Sequence, residues 1–104
     1  METTFWDYQD QVAYHKEKAN KVQLAETPHS RTTLWCLLPG QHIHPHEHAG
    51  DHIWIVLEGE GTFLGAGGPR PVGPGTLLVA PQGRPHGVEN KSQEGLVFVS
   101  ISAG

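Results

Sequence analysis

The stretch "GQHIHPHEHAGDHIWIVLEG", residues 40–59, packs five of the chain's eight histidines into eleven positions: His42, His44, His46, His48 and His52. The run that follows, "HIWIVLE", is rich in β-branched and aromatic residues and predicts a strand. Imidazoles crowded at a strand entrance pose a choice between a solvated loop and a metal site. Successive side chains on a strand point to opposite faces, so His46 and His48 project the same way. Two imidazoles at that spacing can reach one metal ion at about 2.0–2.2 Å each. "AGD" supplies a short turn, and His52 opens the next strand as a third ligand. A fourth ligand from a strand distant in sequence would close the site. His86 in "PQGRPHGVEN" is the candidate, because His15 and His29 lie in the unpatterned start and in a turn.

A helical H-x-x-x-H site made by His48 and His52 is the competing arrangement. Pro45 and Gly50 flank or interrupt that segment, and no glutamate follows His48 as H-E-x-x-H requires. The strand arrangement is therefore preferred.

Outward from this stretch the chain reads as short strands and turns. "KVQLAE" and "RTTLWCLL" are separated by "TPHS", and Pro39-Gly40 breaks the chain before the histidines. "TFLGAGGPR" predicts a strand entering a glycine-rich hairpin, followed by "GTLLVAP", "HGVEN" and "GLVFVSIS". About eight or nine strands with turns every 8–12 residues predict an all-β sandwich or barrel. Thirteen glycines and eight prolines in 104 residues agree with many tight turns, and the length suits one domain. "GAGG" at 65–68 is not a nucleotide loop, since a proline and another strand follow where a helix is needed. Residues 1 to about 20 are the least patterned and are expected to form an arm.

Composition removes several function classes. A net charge of −4 argues against nucleic-acid binding, and Glu17 interrupts the basic cluster of Lys16, Lys18 and Lys21, which reads as a solvated face. No apolar stretch approaches the roughly 20 residues of a membrane span. "METTFWDYQD" lacks the basic start and apolar core of a signal peptide, so a cytoplasmic location is expected. Cys36, the single cysteine, cannot form an internal disulfide and reads as a small buried residue.

With these residues in place the chain resembles a single-domain cupin. That family carries the motifs G-x5-H-x-H-x3,4-E-x6-G and G-x5-P-x-G-x2-H-x3-N. Gly40, His46, His48 and Gly59 fall at positions of the first; Gly75, Pro81, Gly83, His86 and Asn90 fill every fixed position of the second. The resemblance covers roughly residues 31–101. It implies a cupin-type double-stranded β-helix, or jelly-roll barrel, over residues 26–104. Residues 1–25 would be a short arm packing on the barrel or on a partner subunit. One departure matters: His52 stands where most cupins carry the glutamate ligand, and Asp51 is off by one residue, on the other face. The implied site is therefore four neutral imidazoles, His46, His48, His52 and His86, holding one divalent transition metal.

Four imidazoles cancel none of the ion's charge, so the site would keep a formal +2 and favour anionic ligands. Imidazole suits manganese, iron, nickel, copper and zinc alike, so the sequence does not choose among them. Alternation places Trp54 and Val56 inward with His52, and Thr33, Trp35 and Leu37 inward on the earlier strand. On the last strand either Phe98 and Ser100 or Val97, Val99 and Ile101 face the interior. The expected substrate pocket is Trp35, Trp54, Phe98, Ser100 and His44. Arg31 can reach an anion at the barrel mouth or stand exposed at its strand start. Glu47 and Asp51 point away from the metal by parity, so no general base is evident.

The resemblance implies a small metalloenzyme, dioxygenase- or oxidoreductase-like, acting on an anionic or enolisable substrate. A non-redox sugar-acid lyase or isomerase, and a ligand-binding or sensing cupin without catalysis, are the alternatives. Cupins of this size pair through their outer sheets, so a homodimer burying Phe5, Trp6 and Tyr8 is expected.

Overall fold

The computed structural model describes residues 2–47 and 49–104, with only the backbone of His46. His48 lies outside the described residues. Nine strands follow a single 3-10 turn at Tyr8–Asp10: β1 Asn20–Thr27, β2 Ser30–Leu37, β3 His42–His46, β4 Asp51–Glu58, β5 Gly61–Gly65, β6 Arg70–Val72, β7 Leu77–Ala80, β8 His86–Glu89 and β9 Leu96–Ala103. They form a five-stranded sheet, order β1-β2-β9-β4-β7, facing a four-stranded sheet, order β3-β8-β5-β6, and every pairing is antiparallel. This is the expected all-β jelly-roll barrel. Among the described residues no helix is long and apolar enough to cross a membrane.

Alternation along the strands divides the apolar residues between two cores. Leu37, Trp54, Val56, Val72, Val88, Leu96 and Phe98 fill the space between the sheets. Leu34, Cys36 and Val97 point to the other side of the five-stranded sheet, where Tyr8, Val12, Val22 and Val99 pack on them. The choice left open for β9 is thereby decided: Phe98 and Ser100 face inward because Val97 and Val99 belong beneath the N-terminal segment. Cys36 is fully buried there, and burial pushes its thiol above the usual range.

The N-terminal segment is tied down by polar contacts. Asn20 Nδ2 donates to the Ala13 carbonyl (2.8 Å) and Gln41 Nε2 to the His15 carbonyl (2.6 Å). β1 runs from Asn20 past the position where the arm was expected to meet the barrel, because its pairing with β2 begins at Asn20 opposite Cys36.

Register across β2, β9 and β4 positions the site. Inward residues stand abreast in rungs: Leu37 beside Leu96, then Trp35–Phe98–Val56, then Thr33–Ser100–Trp54, then Arg31–Ser102–His52. Each strand thus passes from aliphatic to aromatic to polar as it approaches the same end of the barrel.

Candidate metal and anion site

At the open end His52 on β4 meets His86 on β8, their rings 4.8 Å apart and tilted. His86 is buried, with the Trp54 indole edge-on to it at 5.5 Å. The turn before β8 sets the His86 ring. Gly83 takes φ +81° and Arg84 N–H donates to the Pro81 carbonyl (3.1 Å), the geometry of a type II turn. Asp51 Oδ1 accepts from Gln82 N–H (2.9 Å), pinning the turn to β4. Asp51 therefore faces away from the histidines, as its parity predicts. His86 Nδ1 lies 3.0 Å from the Arg84 carbonyl oxygen. A carbonyl oxygen can only accept, so Nδ1–H is the donor in this contact, the kind of second contact that orients a metal-ligating imidazole.

A bulge brings the histidine strand to the same place. Ile43 pairs with Val88 and His46 with His86, so β3 spends three steps where β8 spends two. Pro45, which has no N–H to give to a ladder, lies within this extra step. Gly87 permits the close approach: a Cβ there would stand 2.6 Å from Pro45 N and 2.8 Å from the His44 carbonyl carbon, and would collide with Ile43 O. Ile43 packs on the inner core before the bulge, and the bulge sets the His46 backbone opposite His86.

Two cavities converge on these residues. The inner one, about 310 Å³, is bordered by Ile43, His52, Trp54, His86 and Ser100. The outer one, about 270 Å³, is bordered by Arg31, Thr33, Gly50 and Ser102. Both share Lys21, Trp35, His52 and Ser100. Of the expected pocket residues, Trp35, Trp54 and Ser100 line the cavity. Phe98 packs against two of them, 4.5 Å from Trp54 and 6.4 Å from Trp35 between ring centroids. His44 is exposed, with its Nε2 3.0 Å from His42 Nε2 and the two rings edge to face at 4.3 Å.

Three contributors escaped the sequence reading. Lys21, grouped there with a solvated basic face, sits opposite Trp35 in the β1–β2 ladder with its ammonium 6.0 Å from the Trp35 ring centroid. Ser102 and Ile43 line the cavity through register and bulge. Among the described residues no group of three histidine, cysteine or acidic side chains lies close enough to hold a metal. His48 and the His46 side chain are outside that description.

A two-sheet jelly roll with histidines gathered at one mouth defines a cupin. Residues 33–102 match the cupin domain family model, and the chain belongs to that family. An oxalate-binding protein of Thermotoga maritima is 30% identical over 80 residues, which span 73% of this chain and 66% of that protein, just under two thirds of its length. A crystal structure from Thermus thermophilus superposes with TM-score 0.90 at 31% identity, covering 95% of both chains. An uncharacterized conserved protein with a double-stranded β-helix domain from Klebsiella pneumoniae gives TM-score 0.91 at 29% identity, over 98% of this chain and 90% of that one.

Proposed function

We propose that this chain is a metal-dependent binder of small carboxylates, with one divalent transition metal held by His46, His48, His52 and His86. The observation that carries this reading is the His52–His86 contact at the foot of a cavity whose rim holds Lys21 and Arg31. Imidazole is a donor that suits such an ion, and His52 and His86, two of the four, stand ring to ring. His86 is oriented by its Nδ1 contact with the Arg84 carbonyl, and the β3–β8 ladder pairs the His46 backbone with it. When bound, the metal would act as a Lewis acid of undiminished charge that attracts carboxylate or enolate oxygens. The protein's own part is to exclude water with Trp35, Trp54 and Ile43 and to offer the Ser100 hydroxyl beside them. The likeness to an oxalate-binding protein supports carboxylate as the ligand class.

Oxidation of the bound anion is the second reading, favoured by the aromatic wall around His52 and His86, which shields a reacting centre from solvent. Calorimetric titration of oxalate into protein loaded in turn with manganese, iron, nickel, copper and zinc tests the first reading. Saturable binding that requires the metal supports it, and no binding with any of the five overturns it. Oxygen uptake with the same preparations tests the second. We also infer a homodimer. Phe5 (87% exposed), Trp6 (50%), Leu77 (68%) and Val79 (65%) are large apolar residues left on the surface, the last two on the edge strand β7. A monomeric mass by analytical ultracentrifugation would contradict it.

A further inference from the structure

Lys21 and Arg31 border the outer cavity without a carboxylate partner among the described residues, where one ion pair occurs, Lys91 with Glu89. Glu26 stands opposite Arg31 in the β1–β2 ladder, but its carboxylate accepts from Gln23 Nε2 (2.9 Å) and lies beyond ion-pair distance of the guanidinium. Arg31 Nη2 donates one long hydrogen bond to Ser102 Oγ (3.4 Å), which uses one of its five N–H donors. Arg31, Ser102 and His52 occupy one rung on neighbouring strands. Adjacent strands are ~4.8 Å apart, so the Arg31 and His52 backbones are separated by roughly 10 Å.

We propose that the barrel mouth is a second anion subsite, in which Arg31, with Ser102 and Lys21, takes the far acid group of a small dicarboxylate whose near group lies at His52 and His86. The proposal rests on the carboxylate-binding reading above and narrows its ligand class. A guanidinium pairs with carboxylate through parallel hydrogen bonds, and here it needs no desolvated partner to be displaced. Oxalate, whose carboxyl groups are bonded directly to each other, reaches one end of the cavity only. An acid with a short methylene spacer, such as glutarate, spans both.

The test is calorimetric titration of manganese-loaded wild type, Arg31→Gln, Lys21→Gln and His86→Ala with glutarate, oxalate and butyrate. Glutarate is expected to bind wild type more tightly than butyrate, which lacks the second acid group. Arg31→Gln should weaken glutarate by about tenfold to a hundredfold, the loss of a charge-assisted hydrogen-bonded pair, and weaken oxalate by much less. Lys21→Gln should weaken glutarate by a few fold, and both effects should shrink at high salt. Equal losses for glutarate and oxalate in Arg31→Gln, or an unchanged glutarate affinity, would overturn the proposal. If glutarate depends on His86 and not on Arg31, the metal reading stands and the mouth subsite falls. If it depends on Arg31 and survives His86→Ala, glutarate is held at the mouth alone, and the two-point proposal is overturned. Arg31 is exposed, so its substitution is not expected to unfold the barrel.

Discussion

The two ends of this barrel are built on the same strands and differ in what those strands put inside. At the closed end Leu37, Leu96 and Phe98 are buried to 1% exposure or less. Asn90 seals the end: its Nδ2 donates to the carbonyls of Leu37 (3.0 Å) and Glu94 (2.8 Å), and its Oδ1 accepts from Ser92. At the open end the same inward positions are Arg31, Ser102 and His52, around space rather than packing. Alternation is identical in both regions; only the chemistry of the inward residue changes. Stability is therefore concentrated at one end, and the other is free to carry polar groups that a core would reject.

That division is breakable by substitution. Phe98→Ala removes the ring that both Trp35 and Trp54 rest on, and should cost about 3–5 kcal/mol of stability, read as a lower denaturation midpoint. A loss below about 1 kcal/mol would mean that the closed end does not hold the barrel. Gly87→Ala falls between the two ends. Its Cβ would strike the β3 backbone at the bulge, at a cost of about 1–3 kcal/mol, and should impair metal uptake as well. A stable variant with full metal content would show that the bulge is adaptable.

The outer core sharpens the comparison through pH. The folded Cys36 thiol is raised above its ordinary value of 9.0, chiefly by burial. The folded state thus holds this proton more tightly than the unfolded chain. Its contribution to stability is complete below about pH 9 and is lost as pH rises through the folded value. Denaturation midpoints of wild type and Cys36→Ala should diverge below that pH and converge above it. Parallel profiles would contradict the assignment. The smallest effect belongs to the open end: Ser102→Ala should change stability by no more than about 0.5 kcal/mol. A larger loss would make the mouth part of the structural core.

Most of the barrel and part of its site were legible because both rest on local patterns. Gly40, Gly59, Gly75 and Gly83, fixed positions of the doubled motif, all take positive φ in the turns that space the strands. Period-two alternation was enough to group Trp35, Trp54 and His52, and setting aside His15 and His29 left His86, which borders the same cavity. The orientation of β9 was ambiguous from alternation alone, since both of its faces are apolar; docking of Tyr8 and Val12 on Val97 decides it. Lys21 and Ser102 were not legible, because their place depends on register between strands far apart in sequence. Lys21 in particular looks like its neighbours Lys16 and Lys18 until β1 is paired with β2. The direction of His44 was not legible, because Pro45 and the register shift between Ile43 and His46 interrupt the two-residue period beside it. Gly87, which admits that bulge, is visible only once β3 and β8 are side by side.

The central claim is that the open end holds a metal through histidines from separate strands. Elemental analysis of untagged wild type, His52→Ala and His86→Ala tests it directly. The account predicts one divalent transition metal per chain in wild type, lost in both variants while their denaturation remains cooperative. Wild-type protein that takes up no metal on reconstitution, or variants that keep a full complement, would contradict it.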